Sequence, residues 1–68
     1  MNMKRPLLAD VVNVCIPIQH IQIIDKTTND VIAEGPEWEL HKLLNEYGDH
    51  EVYIMRVHRE TLTIVIKP

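Results

Sequence analysis

The chain has 68 residues, with ten acidic and seven basic side chains and a formal net charge of −3. That length holds one small domain, spanning residues 1–68, and the 46% hydrophobic content is too rich for a disordered chain. The acidic balance argues against a general nucleic-acid binder, and so short a chain leaves little room for a substrate pocket with its supporting residues; the composition points to a soluble interaction protein.

A chain of this size buries only about 60% of the surface it exposes when unfolded, so its stability margin is small. There is no Phe, and the aromatics are Trp38, Tyr47 and Tyr53. Isoleucine and valine dominate the apolar set, which favours strands. The single cysteine, Cys15, cannot form an internal disulfide, which fits a reducing cytoplasm. The basic Met1–Arg5 start precedes an apolar stretch that is broken by Asp10 and Asn13 and lacks a small-residue cleavage site. No apolar run is long enough for a membrane span.

The first element runs from Pro6 to Cys15. Pro6 suits the first helical position, and Leu8, Val11, Val12 and Cys15 then share one face. The β-branched Val11, Val12, Val14 and Ile16 keep a strand as the competing reading; the helix is favoured, and Pro17 ends the element either way. Ile18 to Asp25 reads as a strand and Val31 to Glu34 as its return, with Asn29 or Asp30 taking a left-handed turn conformation. The five-residue loop pairs Ile24 with Ile32 and Ile23 with Ala33.

Gly35-Pro36 breaks this hairpin and opens a helix at Glu37. Leu40, Leu43, Leu44 and Tyr47 form its buried stripe, and Gly48 is its C-cap. Glu51 to His58 and Thr61 to Lys67 form a last hairpin about Arg59-Glu60. Symmetry pairs Val57 with Leu62, Met55 with Ile64 and Tyr53 with Ile66, all on the core face. The expected fold is therefore α+β, in the order αββαββ. Its simplest packing is a four-stranded antiparallel sheet with two helices on one face.

No chemical signature emerges from the reactive residues. His20, His41, His50 and His58 show no metal-ligand spacing and fall on different elements, so no metal or cofactor is expected. Cys15 sits among valines, where a thiol is inert. The two glycines, Gly35 and Gly48, make no phosphate loop. The expectation is that the chain is not an enzyme and has no catalytic residue.

Trp38 is the most informative residue. On an ideal helix it points away from the Leu40–Tyr47 stripe, so it either folds back over the Gly35-Pro36 loop or is an exposed interface anchor. Glu37, Glu39, Glu46, Asp49 and Glu51 complete an acidic candidate surface for a protein partner. The partly apolar sheet face of Val52, Ile54 and Val65 is a second candidate, and a homodimer seam is possible on either. Arg56, His58, Arg59 and Lys67 make only a weak basic patch. With Tyr53 turned to the core there is no stacking platform, so direct nucleic-acid binding is not expected.

Leu7-Leu8-Ala9-Asp10-Val11-Val12, Ile23-Ile24-Asp25, Val31-Ile32-Ala33-Glu34-Gly35, Glu51-Val52 and Thr61-Leu62-Thr63-Ile64-Val65-Ile66 carry a resemblance. In these pieces the chain resembles short proteins encoded by phages and integrated mobile elements of Gram-positive bacteria. In size, acidity and lack of catalytic motifs it is similar to anti-CRISPR inhibitors. The resemblance implies a non-enzymatic inhibitor in the host bacterial cytoplasm that binds a CRISPR effector nuclease and blocks its DNA binding or cleavage. The alternatives are a small self-associating phage accessory or structural module, and a weak nucleic-acid-binding regulator.

Overall fold

The computed structural model describes residues 5–67; of the basic start, Met1–Lys4 lie outside the described residues, as does Pro68. The elements are α1 (Leu8–Val12), β1 (His20–Asp25), β2 (Val31–Pro36), α2 (Glu37–Leu40), a 3₁₀ turn (His41–Leu43), α3 (Leu44–Tyr47), β3 (Glu51–His58) and β4 (Thr61–Lys67). The fold is α+β, around one four-stranded sheet of order β2-β1-β4-β3.

Both hairpins form, but the sheet is mixed, which corrects the all-antiparallel expectation. β1 pairs β2 antiparallel, β3 pairs β4 antiparallel, and β1 pairs β4 in parallel from His20–Thr61 to Asp25–Ile66. The segment between β2 and β3 carries the chain back along the sheet, so β3 runs against β1 and β4 runs with it. A centre made of β1 and β3 would have been antiparallel. β3 carries Glu51, Arg56 and His58, whereas β4 offers Leu62, Ile64, Val65 and Ile66. The more apolar strand takes the doubly paired central place and the charged one takes the edge.

The core joins Ile21 and Ile23 of β1 with Ile64 and Ile66 of β4, Val52 of β3, Leu8, Val11 and Val12 of α1, and Leu40 of α2. α1 is held at its start by other backbone. Leu8 and Ala9 donate their N–H groups to the carbonyls of His50 and Gly48 (both 2.9 Å), and Val52 N–H donates to the Pro6 carbonyl (2.8 Å). Helical N–H groups with no intrahelical partner are thereby satisfied. The first helical residue is Leu8, with Leu7 as N-cap, and not Pro6, because Pro6-Leu7 is drawn into a short bridge beside Glu51.

The expected helix from Glu37 to Tyr47 is split by the 3₁₀ turn. Three residues at the tighter pitch advance the following side chains by about 60° relative to a continuous α-helix. Leu40 is buried, whereas Leu43, Leu44 and Tyr47 are only half-buried. Gly48 is not a left-handed cap: its φ is −60°. Glycine serves there by lacking a Cβ, which would lie 2.4 Å from the Leu44 carbonyl oxygen.

Two register expectations fail at bulges. Ile23 pairs with Ala33, but the next pair is Ile24–Val31, not Ile24–Ile32. Met55–Ile64 and Val57–Leu62 hold, but Val52, not Tyr53, faces Ile66. Tyr53 is the extra residue, and it lies outside the core cluster. Val52 takes the buried place, tied to the segment before α1 by its N–H bond to the Pro6 carbonyl.

Asn29 has φ 65°, and the Asp25 carboxylate organises its loop by accepting N–H bonds from Thr27 (2.7 Å) and Thr28 (3.3 Å). Arg59 and Glu60 both have positive φ, 49° and 68°. Two central residues of that kind make a type I′ hairpin turn, for which Asn-Gly is the favoured pair. The double variant Arg59→Asn/Glu60→Gly is therefore expected to stabilise the protein by about 1–2 kcal/mol, because it removes left-handed strain. A higher urea midpoint at unchanged slope is the readout; an unchanged or lower midpoint would show that the turn carries no strain.

Candidate functional site

The six expected partner-binding residues do not share one environment. Glu37 is 7% exposed, and its carboxylate lies 3.0 Å from His41 Nδ1, one helical turn on. A side chain held this way is part of the fold, so Glu37 leaves the surface set. Trp38, Glu39, Glu46 and Asp49 are exposed along α2, α3 and the residue pair that follows. They form an exposed acidic ridge that runs from α2 through α3 to the turn after it. Glu51 is exposed on β3, at the opposite end of the sheet from Trp38.

Trp38 is 64% exposed and does not fold back over the loop before it. Its N–H donates to the Pro17 carbonyl (3.1 Å), and Glu37 N–H donates to the Gln19 carbonyl (2.9 Å), continuing the β1–β2 pairing outward. The segment thus placed beside Trp38 contains Ile16 and Ile18, and Ile18 is 79% exposed. Sequence reasoning had assigned these two isoleucines no role. The available signal was Pro17 between them, since an apolar-Pro-apolar run outside a helix has no regular face to bury.

A depression of about 520 Å³ adjoins this apolar end, between Ile16, Ile18 and Gln19 on one side and Arg59, Glu60 and Thr61 on the other. Gln19 Nε2 donates to the Glu60 carbonyl across it (2.8 Å). The strained turn and the apolar end are therefore tied together.

The reactive side chains are not assembled. His20 lies on β1, His41 in the 3₁₀ turn, His50 before β3 and His58 at the end of β3. Among the described residues no group of three or more His, Cys, Asp or Glu side chains could hold a metal ion. Cys15 donates its thiol to the Val11 carbonyl at 3.3 Å. Burial, and then the charge of Glu37, push that thiol upward, away from thiolate. Among the described residues no helix is long and apolar enough to cross a membrane.

On the sheet face turned away from the core, Glu34 accepts from the His20 ring (2.9 Å) and from Gln22 Nε2 (3.2 Å). The His20 bond, then the Gln22 bond, hold its carboxyl below the usual range. A carboxyl lowered by folding adds stability above its unfolded value, and that stability is lost as pH falls through the folded value. In thermal melts, Glu34→Gln is therefore expected to lower stability slightly at neutral pH and to flatten part of the acid loss below about pH 4.5, so that variant and parent converge in acid. Parallel acid limbs in variant and parent would contradict this.

No family model matches the chain, and no curated protein or solved structure is similar to it.

Proposed function

We propose that the chain is a non-catalytic protein-binding module that acts through the Trp38 end. Trp38, Ile16 and Ile18 form the apolar anchor, with Glu39, Glu46 and Asp49 as an acidic ridge beside it. One observation carries the reading: the only tryptophan stands 64% exposed next to two exposed isoleucines, in a chain with few large side chains to spare from its core. Aromatic anchors of this kind dominate interface energetics.

In this reading both helices lie on the core side of the sheet. Their contribution of Leu8, Val11, Val12 and Leu40 to one cluster supports that arrangement. An acidic ridge with an apolar anchor suits a basic, nucleic-acid-binding surface on the partner. With the resemblance to anti-CRISPR inhibitors, the partner proposed is a CRISPR effector nuclease in the bacterial cytoplasm, blocked by occlusion of its DNA path. A pull-down against several effectors, paired with a DNA-cleavage assay, tests this. Trp38→Ala is expected to weaken binding about 30-fold, as loss of a 2 kcal/mol hot spot does. Charge reversal at Glu39, Glu46 and Asp49 is expected to slow association and reduce its salt dependence. Cleavage unimpaired at saturating protein across the effectors would remove the nuclease from the proposal.

A second reading, self-association, has its own observation. Among the described residues, the outer edge of β3 is bridged only near Glu51–Val52, and beyond it Met55 is 49% and Val57 73% exposed. A long apolar edge is a template for strand pairing. Gel filtration is expected to show a dimer that Met55→Lys/Val57→Lys disperses; a monomer at high micromolar concentration would dismiss this reading.

A further inference from the structure

We infer that the partner element seated on the Trp38 end is a lysine- and arginine-rich segment with an apolar side chain at one end. The inference rests on the protein-binding reading of that end and names the chemistry of what it takes. Charge along the ridge sets the sign. Glu39, Glu46 and Asp49 are exposed on α2, α3 and the turn after it, against one exposed lysine, Lys42. His41 is engaged by the buried Glu37, and that pair adds no net positive charge in either state of the imidazole. Among the described residues neither Glu39 nor Glu46 has a cationic group within 4.0 Å, and Asp49 meets only His50, at 4.0 Å. Carboxylates of one sign left without partners favour a cationic occupant.

The order of residues gives the occupant a direction. Trp38 stands at the start of the ridge beside the exposed Ile16 and Ile18, and the carboxylates follow along α2 and α3. The depression of about 520 Å³ next to the two isoleucines has room for an apolar side chain. Arg59 and Glu60 on its far side carry opposite charges, so it adds no preference of sign. The Trp38 ring lies between this apolar seat and the acidic row, where its face suits a guanidinium. Lys42 interrupts the row, so the cations of the segment fall into two groups, one at Glu39 and one at Glu46 and Asp49.

Other occupants satisfy only part of this surface. Nucleic acid and anionic lipid are repelled by the ridge. A small polyamine would answer the carboxylates and leave Trp38, Ile16 and Ile18 in water.

Trp38 is the only tryptophan, so its own emission reports the surface. Titrations use short tryptophan-free peptides, with leucines at one end followed by lysines and arginines, by glutamines, or by glutamates; phosphatidylcholine vesicles are a fourth probe. The cationic peptide is expected to shift the emission to the blue and to bind about tenfold more tightly than the glutamine peptide, an advantage lost at high salt. Glu39→Lys/Glu46→Lys is expected to remove that advantage. Lys42→Glu is expected to tighten binding of the cationic peptide about threefold, a gain that loss of folding cannot mimic. Met55→Lys/Val57→Lys, on the β3 edge, is expected to change neither affinity. Equal affinity for the glutamine peptide would overturn the basic segment and leave Trp38 as an interface. Tighter binding of the glutamate peptide, a shift with vesicles alone, or no shift with any probe would overturn the inference as well. The nuclease assays read effector cleavage, so a failure there leaves the outcome of these titrations as it is.

Discussion

Side-by-side pairing of β1 with β4 is the constraint on which the rest of this small fold depends. Ile21, Ile23, Ile64 and Ile66 meet at that seam, and all four are buried. Every other core residue is recruited to it: α1 contributes two valines and a leucine, α2 one leucine and β3 one valine. A domain this short has too little apolar area for a second centre. Elements that do not reach the seam are accordingly left half-buried or exposed. Leu43, Leu44 and Tyr47 fall in the first group, and Met55 and Val57 in the second.

The same economy explains how surfaces become available for function. With so few large side chains, an exposed Trp38 beside Ile16 and Ile18 is apolar area withheld from folding, and this is the area on which the proposed interface rests. The acidic side chains Glu37, Glu39, Glu46 and Asp49 of the α2–α3 segment and the turn after it face only Lys42 as a cation there, whereas the outer sheet face balances Arg56 and Lys67 against Glu34 and Glu51. The β3 bulge takes Tyr53, which strand symmetry places on the core face, out of the core cluster.

Much of the architecture was legible along the chain because local chemistry dictates it. The two hairpins follow from turn residues: Asn29 takes the left-handed conformation and Arg59-Glu60 sits at its turn centre. The helical start at Glu37 follows from Gly35-Pro36, and the outward direction of Trp38 follows from its angle to Leu40 and Leu44. The candidate surface was legible only in part. Glu39, Glu46 and Asp49 accompany Trp38 on the outer ridge, but Glu37, one residue before Trp38, is drawn inward by His41. Ile16 and Ile18 joined the site through backbone pairing with the α2 entrance, a contact that strand and helix periodicities do not encode.

By itself, the sequence determined an α+β domain built from two hairpins and a helical connection, since periodicity and turn chemistry act over a few residues. Only the tertiary structure decided that β4 rather than β3 lies beside β1. That choice makes the sheet mixed, and it depends on comparing the burial of strands some forty positions apart. The tertiary structure alone also decided that Val52 turns in and Tyr53 out, because the displacing contact comes from Pro6-Leu7 at the other end of the chain.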